Sequence, residues 1–394
     1  MKKQTQAIHL EYERRDAYDS LSVPVYNTLA YEFDNAAVMA EAFTDKIKAP
    51  DYSRVENPTV TNLERRVAAL TDAAHATAFN SGMAAISNTL MALAAQGKNI
   101  VTSKHLFGNT YALLVATLRR FGVKVRLCDL TNIEAVREAI DDDTCCVFLE
   151  ILTNPQLEVA DLKAISEVAH EKNVPLVVDS TVIPFTQFSA KSLGVDIEVV
   201  SSSKYVSGGA TSLGGLVIDY GTPYNGDFAK RLYGEMLFNF GAYMTPQVAY
   251  MQTIGLETLD ARYRVQSGNA LELAKKLRSL PQIKYVNYVG LEDNPYHELA
   301  QRQFGKTAGA MICIDLESKE ACFSFLNNLK LIHRATNLFD NRSLAIHPAS
   351  TIFGAFSESM RKSMDVKDTT IRLSVGLEDV DDLFEDIKQA VNSL

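Results

Sequence analysis

The sequence predicts an α/β protein, with a mostly parallel sheet covered by helices and a smaller α+β layer after it. Three observations predict this. Short apolar runs alternate with helical stretches between Asn99 and Ile218, as parallel strands joined by helical crossovers do. At 394 residues the chain is too long for one simple core, so two domains are expected. Asp179 and Lys204, residues that can do chemistry, fall where apolar runs end, and open parallel sheets gather ligands there.

Residues 1–50 carry no strong repeat, although 26–33 is partly apolar, and they read as an arm that lies on something else. Leu63, Val67 and Leu70 form one face of a helix over 62–70. The stretch ATAFN, residues 76–80, then leads through Ser81 and Gly82 into an apolar-periodic helix over 83–95, with Ser81 in the N-cap position. Further strands are expected at 99–102, 124–127, 145–150, 176–179, 197–201 and 215–218, with helices at 110–121, 133–140 and 161–172. A second unit begins near Gly255. It has a long helix over 259–280, apolar runs at 309–316 and 371–375, and helices at 319–329 and 380–391. The chain is thus expected to divide into an arm (1–50) that contributes to a neighbouring subunit, a large α/β domain (51–254) and a C-terminal α+β domain (255–394).

A net charge of −9 argues against general binding to nucleic acid or to anionic membranes. It leaves open small anions, which need only a local positive site. The first twenty residues lack the apolar core of a signal peptide, and no 18-residue window is uniformly apolar, so a cytoplasmic location is expected. The five cysteines are odd in number, with Cys145 and Cys146 adjacent in an apolar run, which fits reduced thiols. The seven histidines lack metal-ligand spacing, so no metal site is expected.

In SSSKYVSGG, residues 201–209, a lone lysine follows an apolar strand. Taken singly, each candidate has a plain structural reading. Asp179 is a possible turn cap, Lys204 a surface lysine, and Ser81 with Gly82 a common helix start. Ser201 and Ser203 are ordinary strand-end serines. Together they are more telling. A buried carboxylate, an amine downstream, hydroxyls beside it and a helix start that can seat an anion match the needs of pyridoxal phosphate.

Whole motifs carry the point further: YSRVENPT from Tyr52, FNSGM from Phe79, EILTNP from Glu150, VDST from Val178, SSSKY from Ser201, SLAIHPA from Ser343 and RLSVGLED from Arg372. From about Val23 to its end, the chain resembles the cystathionine γ-lyase/γ-synthase, or Cys/Met metabolism, family of pyridoxal-phosphate enzymes. The resemblance implies the fold-type-I architecture of such enzymes. It implies that Lys204 forms the Schiff base with pyridoxal 5'-phosphate and later moves protons, and that Asp179 pairs with the ring nitrogen. Ser81, Gly82, Met83, Ser201 and Ser203 would hold the phosphate, joined by Tyr52 and Arg54 from a neighbouring subunit. Thr181 of VDST belongs to the same cofactor site, and Asn154 lies near the 3-oxygen. Arg372 grips the substrate α-carboxylate, and Ser343 lies in the segment that lines the substrate pocket. The implied assembly is a homo-oligomer, a dimer of shared active sites and commonly a tetramer. The implied partners are an amino-acid substrate with sulfide or a thiol.

Two departures bear on the reaction. Phe107 stands where the family usually has a tyrosine that stacks on the cofactor and helps the γ-leaving group depart. Phe107 keeps the stacking surface without the hydroxyl; Tyr111, one helical turn on, is a candidate substitute. Asn109 stands where methionine γ-lyases carry a characteristic cysteine. SLGGLVID and SLAIHPAST resemble the O-acetylhomoserine sulfhydrylase branch, but the chain is shorter than usual members and IFGA from Ile352 replaces their continuation. The expectation is γ-replacement on an activated homoserine ester. A γ-lyase acting on methionine, cystathionine or homocysteine is the alternative, and cystathionine γ-synthase comes third. A non-catalytic scaffold would have lost Lys204, Asp179 or Arg372; all three are present.

Overall fold

A computed structural model describes residues 1–10, 16–44, 46–306 and 308–394. Seven strands, β1 (His75–Phe79), β2 (Asn99–Thr102), β3 (Lys124–Leu127), β4 (Thr144–Glu150), β5 (Leu176–Asp179), β6 (Ile197–Val200) and β7 (Gly215–Asp219), form the large sheet. Their order is β1-β7-β6-β5-β4-β2-β3. All pair in parallel except β7, which runs antiparallel to both β1 and β6. The exception has a local cause. A parallel return needs a long crossover, usually a helix. Residues 201–214 hold only one short 3-10 turn, Tyr205–Ser207, so the chain doubles back. That doubled-back loop carries Lys204.

Successive residues of the central strands enter opposite cores. Val147, Leu149 and Val178 pack on one face, with Leu63 and Val67 of the helix Pro58–Thr71. Phe148, Val177 and Val199 pack on the other, with Ile86 and Leu90 of the helix Gly82–Leu93. Strands buried on both faces read as unbroken apolar runs, which is why the sequence located them closely.

The C-terminal sheet comprises β8 (Tyr285–Asn287), β9 (Met311–Asp315), β10 (His333–Arg334), β11 (Leu344–Ile346) and β12 (Thr370–Ser374), in the order β10-β11-β12-β9-β8. Only the β10–β11 pair is parallel. β8, β10 and β11, of two or three residues each, are too short for a periodic signal.

Three differences from the sequence reading have physical reasons. The helix expected over 110–121 is Gly108–Ala112, a widened turn Leu113–Thr117 and a 3-10 turn Leu118–Phe121, stopped by Gly122 at φ 77°. A helix over Pro246–Glu257 was not anticipated. It ends at Thr258, where a second helix, Leu259–Leu277, sets off, so Gly255 lies inside the first helix. Gly255 is there because a Cβ would stand 2.1 Å from the Val206 carbonyl oxygen, in the turn after Lys204. Finally, part of the 1–50 segment lies on its own chain. In the helix Lys3–His9, the Lys3 ammonium donates to the Phe185 and Phe188 carbonyls at 3.3 and 3.0 Å, and the Gln4 amide to that of Glu257 at 2.9 Å. Residues 11–15 and 45 of that segment lie outside the described residues.

Candidate active site

The carboxyl ends of β4, β5 and β6 converge with the start of the helix Gly82–Leu93. Ser81 caps this helix, its Oγ accepting the Ala84 N–H at 3.1 Å. The Gly82 and Met83 N–H groups keep no partner among the described residues, and the helix dipole adds positive potential there. A Cβ on Gly82 would lie 2.6 Å from Ser201 Cβ, and one on Gly215 would lie 2.1 Å from the Ser81 carbonyl oxygen. The two glycines thus let the helix start, the end of β6 and the start of β7 close into a shallow cradle beside Ser201. Met83 lies at its edge and meets the Thr110 hydroxyl at 3.9 Å.

Asp179 ends β5 and accepts the Thr181 N–H at 2.9 Å. Thr181 Oγ1 in turn accepts the Ser201 N–H at 2.8 Å, so one threonine ties the carboxylate to the cradle. Burial pushes the Asp179 carboxyl up, against the hydrogen bonds from Thr181. No cation pairs with it among the described residues.

Lys204 sits in the loop that Ser203 closes. Ser203 Oγ donates to the Gly214 carbonyl at 3.1 Å and accepts the Gly214 N–H at 2.9 Å. Its one proton is therefore spent on the loop neck, whereas Ser201 keeps its hydroxyl at the cradle. The Lys204 ammonium donates to Asn337 Oδ1 at 2.7 Å. Burial, and then the charge of Arg372, bring the amine down to about 8.

Arg372 lies on β12 and is 3 % exposed. It donates to the Asn337 carbonyl at 3.0 Å and to Asn154 Oδ1 at 3.4 Å, and its Nε is buried without a partner. Burial lowers it to about 10, so it stays cationic at neutral pH. A buried cation with an unmatched donor is a ready seat for a carboxylate.

Phe107 precedes the helix Gly108–Ala112. A Cβ on Gly108 would stand 2.8 Å from the Ile352 carbonyl oxygen and 3.2 Å from the Phe356 ring. The Tyr111 ring meets Phe356 edge-on at 6.0 Å, and its hydroxyl has no hydrogen-bond partner among the described residues. The unusual IFGA segment and the unusual Phe107–Tyr111 stretch are therefore packed together.

Ser343, Tyr52 and Arg54 have no hydrogen bond to the Lys204 amine among the described residues. Ser343 is committed to the C-terminal domain: its Oγ donates to Glu378 Oε2 at 2.9 Å and accepts the Gly376 N–H, also at 2.9 Å. That hydroxyl is thus engaged within the C-terminal domain. Tyr52 and Arg54 form a local pair, the guanidinium 5.5 Å from the ring centroid and bonded to the Phe238 carbonyl at 2.6 Å. The Tyr52 ring is 41 % exposed.

A family model for Cys/Met metabolism PLP-dependent enzymes matches residues 4–392. This chain belongs to that family. A solved structure from Campylobacter jejuni, assigned as an O-acetylhomoserine (thiol)-lyase and carrying a pyridoxyl-lysine phosphate, superposes on this pyridoxal-phosphate enzyme with a TM-score of 0.95 and 34% identity over 100% of both chains. The O-acetylhomoserine sulfhydrylase of Wolinella succinogenes is 44% identical, with a TM-score of 0.77 over 85% of this chain and 96% of its own. The L-methionine gamma-lyase of Fusobacterium nucleatum subsp. polymorphum is 37% identical over 99% of this chain and 98% of its own. The fold is the fold-type-I architecture the sequence implied. Among the described residues, no helix is long and apolar enough to cross a membrane.

The residues of this pyridoxal-phosphate enzyme fit the cofactor. The glycine cradle with its free N–H groups suits the phosphate. Asp179, half-buried without a cation among the described residues, suits a protonated ring nitrogen, and the amine of Lys204 suits the aldehyde.

Two further residues touch the site without a signal of their own in the sequence. Glu150 is the first residue of EILTNP and accepts the Phe107 N–H. Asn337, in a loop with no pattern, joins Lys204 to Arg372 through its side chain and its backbone. Two residues on, Phe339 adopts a left-handed backbone, φ 58°, rare for an aromatic residue. Its N–H donates to Ser374 Oγ at 2.7 Å, and its ring stacks on Tyr205 at 4.0 Å and 9°. Nothing in the local sequence announces this arrangement, since it depends on a stacking partner 134 residues away in the chain. Asn337→Ala removes the acceptor that aims the Lys204 amine. It is expected to lower kcat by about tenfold to hundredfold, with cofactor content unchanged, as steady-state kinetics on the loaded variant will show.

Proposed function

We propose that this enzyme performs γ-replacement on an activated homoserine ester, O-acetylhomoserine first, in which sulfide or a small thiol displaces the acyloxy group to give homocysteine or methionine. Phe107 carries this reading. The site offers a stacking surface there without an acid, and the neighbouring Tyr111 ring is engaged by Phe356. An acyloxy group leaves without the proton that an amine or thiolate leaving group needs. The likeness to the Wolinella sulfhydrylase supports the same reading.

When bound, pyridoxal phosphate supplies the electron sink for the negative charge left at the substrate α-carbon. The chain supplies the rest. Arg372 grips the α-carboxylate through its unmatched Nε face. Asp179 holds the proton on the ring nitrogen. Lys204, with an amine near 8, can be neutral at working pH and removes the α-proton, while Asn337 holds it in reach. Tyr52 and Arg54 reach the phosphate of a neighbouring subunit in this reading. The exposure of Tyr52, and of Val25, Leu29, Met39 and Phe43 before it in the chain, supports a homo-oligomer.

A γ-lyase is the second reading, favoured by the Fusobacterium relative. Purified enzyme given O-acetylhomoserine and sulfide is expected to form homocysteine. No homocysteine, with release of 2-oxobutanoate from methionine, establishes the lyase instead.

A further inference from the structure

Glu150 ends β4 in register with Asp179 at the end of β5, so the two side chains share one face of the sheet. Glu150 is 8 % exposed. Its Oε1 accepts the Phe107 N–H at 2.6 Å, and the Asn154 N–H also reaches the carboxyl. One side chain therefore holds two loops. One presents Phe107, and the other presents Asn154 to Arg372. Neither carboxyl has an ion-pair partner among the described residues. A buried carboxylate and a half-buried one side by side disfavour each other's charge. Thr181 favours the charged form of Asp179, and a ring-nitrogen cation would favour it further. Burial, and then the charge of Asp179, push Glu150 up to about 8.

We propose that Glu150 is a positioning residue for the cofactor site: its carboxyl, un-ionised, clamps the Phe107 and Asn154 loops to the strand end beside Asp179 and leaves the negative charge on Asp179. This rests on the assignment of Asp179 to the ring nitrogen.

The two states of Glu150 predict opposite variants. An amide keeps an acceptor oxygen and no charge, so the holoenzyme of Glu150→Gln is expected to keep cofactor affinity, chromophore circular dichroism and kcat/KM within about threefold of wild type. Glu150→Ala leaves two buried N–H groups unmatched and is expected to weaken cofactor affinity by about tenfold or more, with an altered chromophore dichroism. Infrared difference spectra at neutral pH, wild type minus Glu150→Gln holoenzyme, are expected to show a carboxylic-acid stretch lost in the variant. This measurement decides the matter even if Glu150→Ala does not fold. A missing carboxylic-acid band overturns the proposal. So does Glu150→Gln as damaged as Glu150→Ala, or Glu150→Ala with unchanged affinity and dichroism. Borohydride reduction with peptide mapping separates this from failure of the site itself: a tag off Lys204 refutes the cofactor site, and a tag on Lys204 leaves the Glu150 result to stand or fall alone.

Discussion

Lys204→Arg is expected to abolish turnover, lowering kcat by about 10⁴-fold, while the protein stays folded and still binds the cofactor. Arginine keeps the positive charge and can still donate to Asn337. A guanidinium, however, neither condenses with an aldehyde nor gives up its proton at working pH. Borohydride reduction should then leave no tag on the peptide that carries position 204. The same amine makes a pH prediction. Burial and the Arg372 charge disfavour its protonated form, so the neutral, nucleophilic form is present above about 8 and is lost as pH falls through that value. The rate of cofactor attachment to the cofactor-free protein should therefore rise with pH with a midpoint near 8. A midpoint near the ordinary lysine value would refute the buried, Arg372-facing position.

Arg372→Leu is expected to lower kcat/KM by about 10³-fold, with cofactor affinity and chromophore little changed. The guanidinium is buried, has one unmatched nitrogen and meets neutral oxygens of Asn154 and Asn337 instead of a carboxylate. It thus bears a desolvation cost that a bound α-carboxylate would offset. Removing it lifts that cost, so the melting temperature of the unliganded variant should not fall, and may be compared directly by calorimetry. Arg372→Lys should not restore activity, because a point charge lacks the planar fork. A variant whose stability collapses together with its activity would mark Arg372 as a structural ion instead.

The fold was legible where burial makes sequence repetitive. β4, β5 and β6 are covered on both faces, and their runs gave their ends to within a residue or two. The antiparallel turn of β7 was not, because strand direction lies in what the connection contains, and the 201–214 connection holds only a short 3-10 turn. The site divided along the same line. Lys204, Asp179 and Ser201 stand at strand ends beside recognisable motifs. Asn337 and Glu150 act through contacts with residues far away in the chain, Lys204 for the one and Phe107 for the other.

The backbone twist at Phe339 inverts a familiar rule of protein engineering. Glycine is the usual safe exchange at a left-handed position, and it would relieve roughly 1 kcal/mol. Here it would also empty a fully buried ring site, at a cost of about 3–5 kcal/mol, so the relaxed chain is the less stable one. The position is also coupled to its plate, Tyr205. Neither ring can shrink without leaving a void against the other, and the two rings lie one residue from Lys204 and two residues from its acceptor Asn337. Homologues that diverge here are expected to exchange both rings together, so the pair should behave in descent as a single inherited character.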